Sequence, residues 1–328
     1  MNDVSIVIIT KNESANIGPC LESILSTRGD LQVELILVDS ASTDQTVAIA
    51  SRYPVTIVRL DPSPLLSPSV GRYAGSPYAT APFVQFLDGD MIMLPGWIAS
   101  ALQRMTDEKI GGVAGFLHRS LPGEPEPFVR KDTAPTGEVE CFGGAALYRS
   151  TALARAGTFN PYMLGEEERE LGFRIRSAGY RLEKIPVDMA MHVEKVQDHG
   201  EVNEKSRYFR GVGQLIRGYP FTSLCWRIIR LQTGELMKQL GLWGIPALLI
   251  VLAATGFPVA ALVGATLIGF FVVFLLLWKG SRKVLLYAKR RVLIPWNIAK
   301  GIFIGIRPAE QFHISATVVK PERPAVIK

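Results

Sequence analysis

The chain has 328 residues, a length that favours one substantial domain plus a smaller part. Its net charge of +6 and pI near 9.2 are compatible with nucleic acid, anionic lipid or a phosphorylated ligand as partner. The three cysteines, Cys20, Cys141 and Cys225, lack metal-ligand spacing, which argues against a disulfide framework or a zinc module and favours a reducing cytoplasm.

The first two hundred residues alternate between apolar runs and segments of helical spacing. Strands are predicted over Val4–Thr10, Glu34–Val38, Val55–Leu60 and Phe83–Leu87, and helices over 16–25, 44–50 and 70–79. This alternation predicts an α/β fold with a mainly parallel sheet flanked by helices. Ligands bind such sheets at the carboxyl ends of the strands.

Three polar clusters, residues 10–13, 39–44 and 88–90, follow strands of the predicted sheet. Taken alone, each is ordinary turn or cap chemistry, with Asp44 as a helix N-cap and Asn12 as a turn former. Because the clusters share one rim, together they predict a ligand site.

Asp88 and Asp90 are separated only by a glycine, so both carboxylates can face one cleft. The alternative is a solvated Asp-Gly turn. Oxygen ligands of this kind suit a hard divalent cation such as Mg²⁺ or Mn²⁺.

The ordered segments 4–13, 35–44 and 88–90 resemble the family 2 glycosyltransferases, whose nucleotide-diphospho-sugar domain has the type A glycosyltransferase fold. Residues 142–149 and 165–174 are similar to acceptor-side motifs of that family. The resemblance covers residues 3 to 215. It implies metal-dependent, inverting transfer from a nucleotide-sugar donor, and the absence of the Gln-x-x-Arg-Trp motif of processive synthases favours transfer of a single sugar.

The resemblance also implies roles for residues that bind the donor. Thr10 would lie at the nucleotide edge, Glu13 would accept a hydrogen bond from the ribose, and Asp39 would bind the base. A UDP-sugar is weakly favoured. Residues 39–42 read Asp-Ser-Ala-Ser where the family commonly has Asp-Asp-Gly-Ser, which leaves the base open.

Three arginines are candidates for the diphosphate. By resemblance, Arg72 lies near it, although a solvated helix arginine is the alternative. Arg207 and Arg210 could close over the diphosphate when a loop orders, or bind lipid headgroups.

The metal ligands are also assigned by resemblance. Asp90 would bind the cation directly, while Asp88 would contact the ribose or a metal-bound water. His192 resembles a further metal ligand, with a purely structural histidine as the alternative.

The general base comes from the acidic run 166–170. Alignment with the family pattern makes Glu168 the base, at a position where aspartate is usual, with Glu167 as the rival. Crowded carboxylates can raise a pKa into the working range. The alternative is a charged helix start, since acids favour a first turn.

Residues 239–278 contain no charged side chain and are long enough for two membrane-spanning helices with a break at Gly256-Phe257-Pro258. Basic residues on both flanks predict that both ends face the cytoplasm. The alternative is a buried helical pair in a soluble protein. The predicted parts are a catalytic domain (1–205), an amphipathic interface segment (206–238), the transmembrane hairpin (239–278) and a basic tail (279–328), in which 292–306 either spans or lies on the membrane.

These features predict an enzyme of the inner membrane whose catalytic domain faces the cytoplasm and acts on a lipid-linked acceptor, in glycolipid or cell-surface polysaccharide synthesis. One rival is a catalytically silent, membrane-bound sugar-nucleotide-binding protein. A nucleic-acid or lipid-binding scaffold is the other. It is disfavoured because the basic residues flank the hairpin and no nucleic-acid motif is present, so nucleic acid is not expected as a partner.

Overall fold

A computed structural model of the chain describes residues 2–121, 128–193, 201–239, 251, 254–255 and 281–319. The chain divides into two compact units. The sheet unit comprises Met1–Glu201 and Arg307–Lys328, and the helical unit comprises Val202–Ile306.

The sheet unit begins with alternating strands and helices. In chain order they are β1 (Val4–Thr10), α1 (Ile17–Thr27), β2 (Val33–Asp39), α2 (Thr46–Ala50), β3 (Thr56–Leu60), α3 (Pro68–Gly75) and β4 (Phe83–Asp88). These bounds agree closely with the strands and helices predicted from periodicity. The four strands pair in the parallel order β3-β2-β1-β4.

The rest of the sheet unit is less regular. Its elements are β5 (Met91–Met93), α4 (Trp97–Arg104), β6 (Ile110–Leu121), β7 (Phe128–Arg130), β8 (Gly137–Val139), β9 (Ala146–Arg149), α5 (Ser150–Ala156), α6 (Glu167–Ser177), β10 (Arg181–Val193) and β11 (Ala316–Val319). They extend the sheet to the order β11-β3-β2-β1-β4-β9-β6-β10-β5, with β7 and β8 pairing to β6 and β10.

The sheet is mixed: the prediction of a mainly parallel sheet holds for β1 to β4, whereas among the described strands beyond β4 only β6 and β10 pair in parallel. Strand β9 runs antiparallel to both of its neighbours, β4 and β6. Parallel neighbours require a crossover connection, usually a helix, and the described part of the chain between β6 and β9 contains none. The prediction of an α/β sheet flanked by helices is confirmed.

Helix α3 packs directly on β1 because two glycines face that strand. A Cβ on Gly71 would approach a methyl group of Ile9 to 2.9 Å, and a Cβ on Gly75 would approach one of Val7 to 2.5 Å. The helix therefore lies against the sheet, and the residue next to Gly71 is carried to the carboxyl ends of the strands.

The helical unit contains α7 (Glu201–Gly218), α8 (Ser223–Gln239) and α9 (Ser281–Ile304). Helices α7 and α9 touch backbone to backbone at two glycines. A Cβ on Gly213 would lie 2.1 Å from the carbonyl oxygen of Ile298, and a Cβ on Gly301 would lie 2.0 Å from the carbonyl oxygen of Arg210.

The predicted amphipathic segment 206–238 forms most of α7 and nearly all of α8. The predicted tail 279–328 contributes α9 to this unit and β11 to the sheet.

The predicted transmembrane hairpin, residues 239–278, lies almost entirely outside the described residues. Among the helices that are described, none combines the length and the hydropathy needed to cross a membrane.

Candidate active site

The carboxyl ends of β1, β2 and β4 form the rim of the site. In the sheet register Thr10 pairs with Asp39, and Ile9 pairs with Asp88. The two loops after β1 and β2 are joined: the Asn12 amide donates to Ser42 Oγ at 2.8 Å, and the Thr43 amide donates to Asn12 Oδ1 at 2.9 Å. This pairing fixes the polar edge that the sequence predicted.

The backbone of these loops is strained. Asn12 and Ala41 both adopt left-handed conformations, with φ of 55° and 57°. Non-glycine residues adopt such angles at a cost of about 1 to 3 kcal/mol each, and they concentrate at functional sites.

Two side chains on this rim keep buried acceptor atoms unused. Asp39 is fully buried, and its Oδ2 accepts from the Ser42 amide at 3.1 Å and lies 3.7 Å from Arg59 Nε. Within the described part of the chain, Asp39 Oδ1 and Thr10 Oγ1 are buried without a hydrogen-bond partner. Because an unpaired buried polar atom costs about 1 to 3 kcal/mol, these two atoms indicate a polar ligand.

Arg72 is the centre of the site. Its Nη1 donates to Glu167 Oε1 at 3.2 Å and to Glu168 Oε1 at 3.1 Å, and its Nη2 donates to Asp88 Oδ1 at 3.0 Å. Its side chain is only 2% exposed and lies over the ring of Phe159. The alternative of a solvated helix arginine is therefore wrong.

Burial and crowding shift the acids around Arg72. Burial, together with the charge of Glu168, raises the pKa of Glu167 to about 7, although the Arg72 guanidinium opposes the shift. Burial likewise raises the pKa of Asp88, against the pull of Arg72. One guanidinium thus holds three carboxylates together but does not fully offset the desolvation of Glu167 and Asp88.

Helix α6 presents its acids through an unusual first turn. Glu166, at the N-cap, has a left-handed backbone with φ of 60°, and it pairs with Arg169 one turn later. The next two residues, Glu167 and Glu168, both reach Arg72. The alternative of a merely charged helix start does not account for this convergence.

Hydrogen bonds of Arg174, in the last turn of α6, hold this helix in place. Arg174 makes two hydrogen bonds to the buried Glu170, at 2.7 and 2.6 Å, and also donates to the carbonyl groups of residues 156–158. This network fixes the orientation from which the two acids approach Arg72.

Asp90 and His192 form the second half of the site. His192 Nε2 lies 3.2 Å from Asp90 Oδ2, and this hydrogen bond raises the pKa of His192. In the described residues, Asp90 Oδ1 is buried without a partner. Asp88, by contrast, is already paired with Arg72.

These residues fit a divalent cation only in part. An unpaired carboxylate oxygen beside an imidazole is a donor set that Mg²⁺ or Mn²⁺ accepts. No group of three or more His, Cys, Asp or Glu side chains suited to a metal occurs in the parts of the chain that the structure describes. Asp90 and His192 would therefore leave coordination positions for ligand oxygens.

Two glycines allow the close approach of these parts. A Cβ on Gly144 would lie 2.9 Å from both Asp88 Oδ2 and Arg72 Nη2, and one on Gly89 would lie 3.0 Å from Thr10 Oγ1. The Gly144 carbonyl also accepts from Arg72 Nη2 at 3.3 Å. Any larger side chain at either position would collide with a polar group of the site.

Glu13, Arg207 and Arg210 are the other residues predicted to bind the nucleotide-sugar donor. The Glu13 amide donates to Thr46 Oγ1 at 2.8 Å, and its Oε2 accepts from Asn16 at 2.8 Å. Arg207 and Arg210 belong to the helical unit, where Arg210 Nε donates to Asn297 Oδ1 at 3.0 Å. Their role in donor binding stays a prediction.

Three features of the site were not predicted from the sequence: the joined loops, the approach of Gly144, and the ion pair of Arg59 with Asp39. The Gly143-Gly144 pair and the Gly71–Gly75 spacing are the only sequence signals for close packing here. Neither pattern identifies its partner.

Comparison with known proteins supports the resemblance. Residues 5–157 match the family model "Glycosyl transferase family 2". The chain is 24% identical over 236 residues to a pre-mycofactocin glycosyltransferase of Mycobacterium tuberculosis, a match that covers 66% of this chain and 48% of the relative. The chain thus spans about half the length of that relative.

Solved structures show the same fold. The mannosyltransferase PcManGT from Pyrobaculum calidifontis, in complex with GDP-Man and Mn²⁺, has a TM-score of 0.58 at 21% identity, covering 92% of this chain and 87% of that one. Residues 1–349 of S. aureus TarS, in complex with UDP-GlcNAc, have a TM-score of 0.56 at 15% identity, covering 71% and 73%. Both neighbours share the fold of this chain.

Proposed function

We propose that the chain transfers a single sugar from a nucleotide-sugar donor to an acceptor hydroxyl, and the match of residues 5–157 to the family 2 glycosyltransferase model is the premise. The observation that carries the proposal is the Arg72 cluster. It brings Asp88 and the acidic pair of α6 together beside unused buried acceptor atoms on the rim. The glycosyltransferase prediction made from the sequence agrees with these comparisons.

The donor would lie along the rim formed by β1 and β2. Asp39 Oδ1 is placed to accept an N–H of a nucleobase, a donor that both uracil and guanine offer. The fold neighbours include complexes with UDP-GlcNAc and with GDP-Man, so they support a nucleotide sugar without selecting the base. A UDP-sugar stays the weakly favoured choice.

Asp90 and His192 would hold a divalent cation, with Asp88 acting on the ribose or a bound water while it pairs with Arg72. When bound, such a cation supplies Lewis-acid stabilisation of the leaving diphosphate. The protein's own contribution is to keep one oxygen of Asp90 unpaired and facing the rim.

Glu168 would take the proton of the acceptor hydroxyl. It is more exposed than Glu167, with 21% of its side chain accessible against 10%, so an acceptor can reach it more easily. Direct attack by the activated hydroxyl, on the face opposite the departing diphosphate, inverts the anomeric centre. Glu167, with its pKa near 7, is the rival base.

The acceptor would be lipid-linked and the enzyme attached to the cytoplasmic face of the inner membrane. The uncharged stretch 239–278 supports this proposal, as do the exposed aromatic rings and arginines of the helical unit. Its place would be in the synthesis of a glycolipid or a cell-surface polysaccharide.

The test is a screen of nucleotide sugars, with and without Mn²⁺, for binding and for transfer to a membrane extract. Glu168→Gln should lower kcat by about 10²- to 10⁴-fold, the usual contribution of a general base, while leaving donor affinity intact. Glu108→Gln, at an exposed position after α4, is the matched control.

The outcomes separate the alternatives. If Glu167→Gln abolishes turnover and Glu168→Gln does not, the base is Glu167. Binding without turnover in the wild-type protein would instead indicate a catalytically silent sugar-nucleotide-binding protein, and absence of binding to any nucleotide sugar would refute the proposal.

A further inference from the structure

The chain returns to the sheet unit after residue 306, and residues 307–319 form what we term the C-terminal strap. Its last part, β11, pairs antiparallel with β3, with Ala316 opposite Leu60 and Val319 opposite Ile57. The Asp61 amide donates to the Ser315 carbonyl at 3.0 Å. The strap is therefore fixed to the edge of the sheet at one end.

An aromatic cluster fixes the middle of the strap. Phe312 is 7% exposed and contacts two tyrosines edge-on, with ring centroids 5.9 Å from Tyr73 and 5.3 Å from Tyr162. The Tyr73 hydroxyl also donates to the Ala309 carbonyl at 3.2 Å. Edge-to-face contacts of this kind stabilise the packing beyond the effect of the area they bury.

The start of the strap is fixed to the turn that carries Tyr162. Asn160 Nδ2 donates to the Arg307 carbonyl at 2.9 Å, and the Arg307 guanidinium lies over the Tyr162 ring. The Asn160 carbonyl accepts from Ser69 Oγ, on α3, at 2.6 Å. The strap, α3 and the turn at 159–162 thus form one connected assembly.

Arg72 lies between the two parts that the strap joins. Tyr73, which bonds the strap, directly follows Arg72 on α3, and Phe159, whose ring packs on the Arg72 guanidinium, directly precedes Asn160. Because Arg72 is almost completely buried, its reach toward three carboxylates depends on the walls around it. The strap contacts both of these walls.

We propose that the C-terminal strap is a positioning element of the active site, with Phe312 as the positioning residue that holds α3 and the 159–162 turn at the separation that Arg72 requires. The proposal rests on the proposed function for its kinetic consequence only. Thr10 and Asp39, the donor-binding candidates with unpaired buried atoms, lie on β1 and β2 and so belong to neither wall. Loss of the strap should therefore affect kcat more than the KM for the donor.

The experiment compares full-length Phe312→Ala with His313→Ala, the exposed neighbouring strap residue, as the control. Hydrogen exchange of the backbone amides in 68–75 and 157–163 should rise about tenfold in Phe312→Ala and stay unchanged in the control. With the donor found active in the screen, kcat should fall by about 10- to 100-fold, the effect of a displacement of about 1 Å, with little change in KM.

Two further variants separate positioning from loss of the fold. Tyr73→Phe removes the hydrogen bond to Ala309 but keeps the ring, so it should give a smaller change of the same kind. Phe312→Leu should restore most of the wild-type kcat because it refills the apolar site. Unchanged exchange in β1 and β2 would show that the sheet is intact.

The proposal is overturned if Phe312→Ala leaves exchange in both segments unchanged, or if exchange rises while kcat stays at the wild-type value. It is also overturned if the control gives the same effects. If the wild-type protein transfers no sugar at all, the proposed function fails, and the exchange result alone decides whether the strap holds the two walls.

Discussion

The sheet unit buries charged side chains, whereas the helical unit exposes aromatic ones. Arg72 and Asp39 are 2% and 0% exposed in the former, while Phe221 and Phe303 are 88% and 83% exposed in the latter. Buried charges are costly and are retained where a polar ligand or a reaction uses them. Exposed aromatic side chains indicate a contact surface.

The helical unit combines these rings with basic groups. Trp226 and Trp296 are more than half exposed, Arg227 adjoins the first, and Lys300 Nζ lies 5.0 Å from the ring centre of the second. This composition is typical of a headgroup-level surface. The two units thus differ in kind: the sheet unit buries charged side chains with unpaired polar atoms, and the helical unit places exposed aromatic rings beside basic groups.

The largest expected effect comes from removing the central cation of the sheet unit. Arg72→Met leaves Asp88, Glu167 and Glu168 without their shared guanidinium and should destabilise the fold by about 3 to 5 kcal/mol. Arg72→Lys should be intermediate, because an ammonium cannot bridge three carboxylates as a fork does. Thermal unfolding gives the melting temperatures of both Arg72 variants, and Arg52→Met, at an exposed position, is the control. Equal melting temperatures for all three variants would contradict the role of Arg72.

The next effect is a pH dependence. Folded Glu167 keeps its proton up to about pH 7, whereas the unfolded residue loses it near 4.5, so the folded state binds more protons in this window. The contribution of Glu167 to stability should therefore fall as pH rises from 4.5 to 7, by about 3 kcal/mol, and its loss should be complete above pH 7. Denaturant melts at pH 5 and 8 should show this slope in the wild type and its reduction in Glu167→Gln; identical slopes would argue against the raised pKa.

The third prediction concerns the cation site proposed at Asp90 and His192 in the sheet unit. Asp90→Asn removes the charge of the unpaired oxygen and should reduce both Mn²⁺ affinity and kcat by about 100-fold. The exposed Asp61→Asn is the matched control. Mn²⁺ titration by electron paramagnetic resonance gives the affinity directly, and an unchanged value would exclude Asp90 as a ligand.

The smallest expected effect is a change in the tryptophan fluorescence of the helical unit, measured in the full chain. In vesicles of anionic lipids with brominated acyl chains, Trp226 should be quenched, whereas Trp97, fully buried in the sheet unit, should not. Trp226→Phe should thus remove a quenched component of the fluorescence and Trp97→Phe an unquenched one. If Trp226→Phe and Trp97→Phe each remove an unquenched component of the fluorescence, Trp226 does not contact the lipid and the two units do not differ in this respect.

Much of the sheet unit could be predicted from local patterns. Strands β1 to β4 are apolar runs with sharp polar ends, so periodicity located them to within a residue or two. The polar clusters at 10–13, 39–44 and 88–90 identified the rim, because strand direction determines which ends meet.

The long-range parts could not be predicted in this way. The antiparallel direction of β9 depends on its pairing with β4 and β6, which no local pattern encodes. The sequence left a solvated helix arginine open as the alternative for Arg72, because its burial depends on acids 16 and about 95 residues away. The predicted tail 279–328 contributes a helix to one unit and β11 to the other, and the position of β11 likewise depends on β3, a strand far earlier in the sequence.

The pairing of β11 with β3 also has a consequence for biogenesis. Leu60 and its partner Ala316 are separated by about 256 residues, so the outer edge of β3 lacks this partner until β11 has been translated. At typical synthesis rates of about 5 to 20 residues per second, that delay is roughly 13 to 50 s. A nascent chain with an open strand edge invites pairing with other chains, and we expect this stage of synthesis to be where chaperones protect the protein.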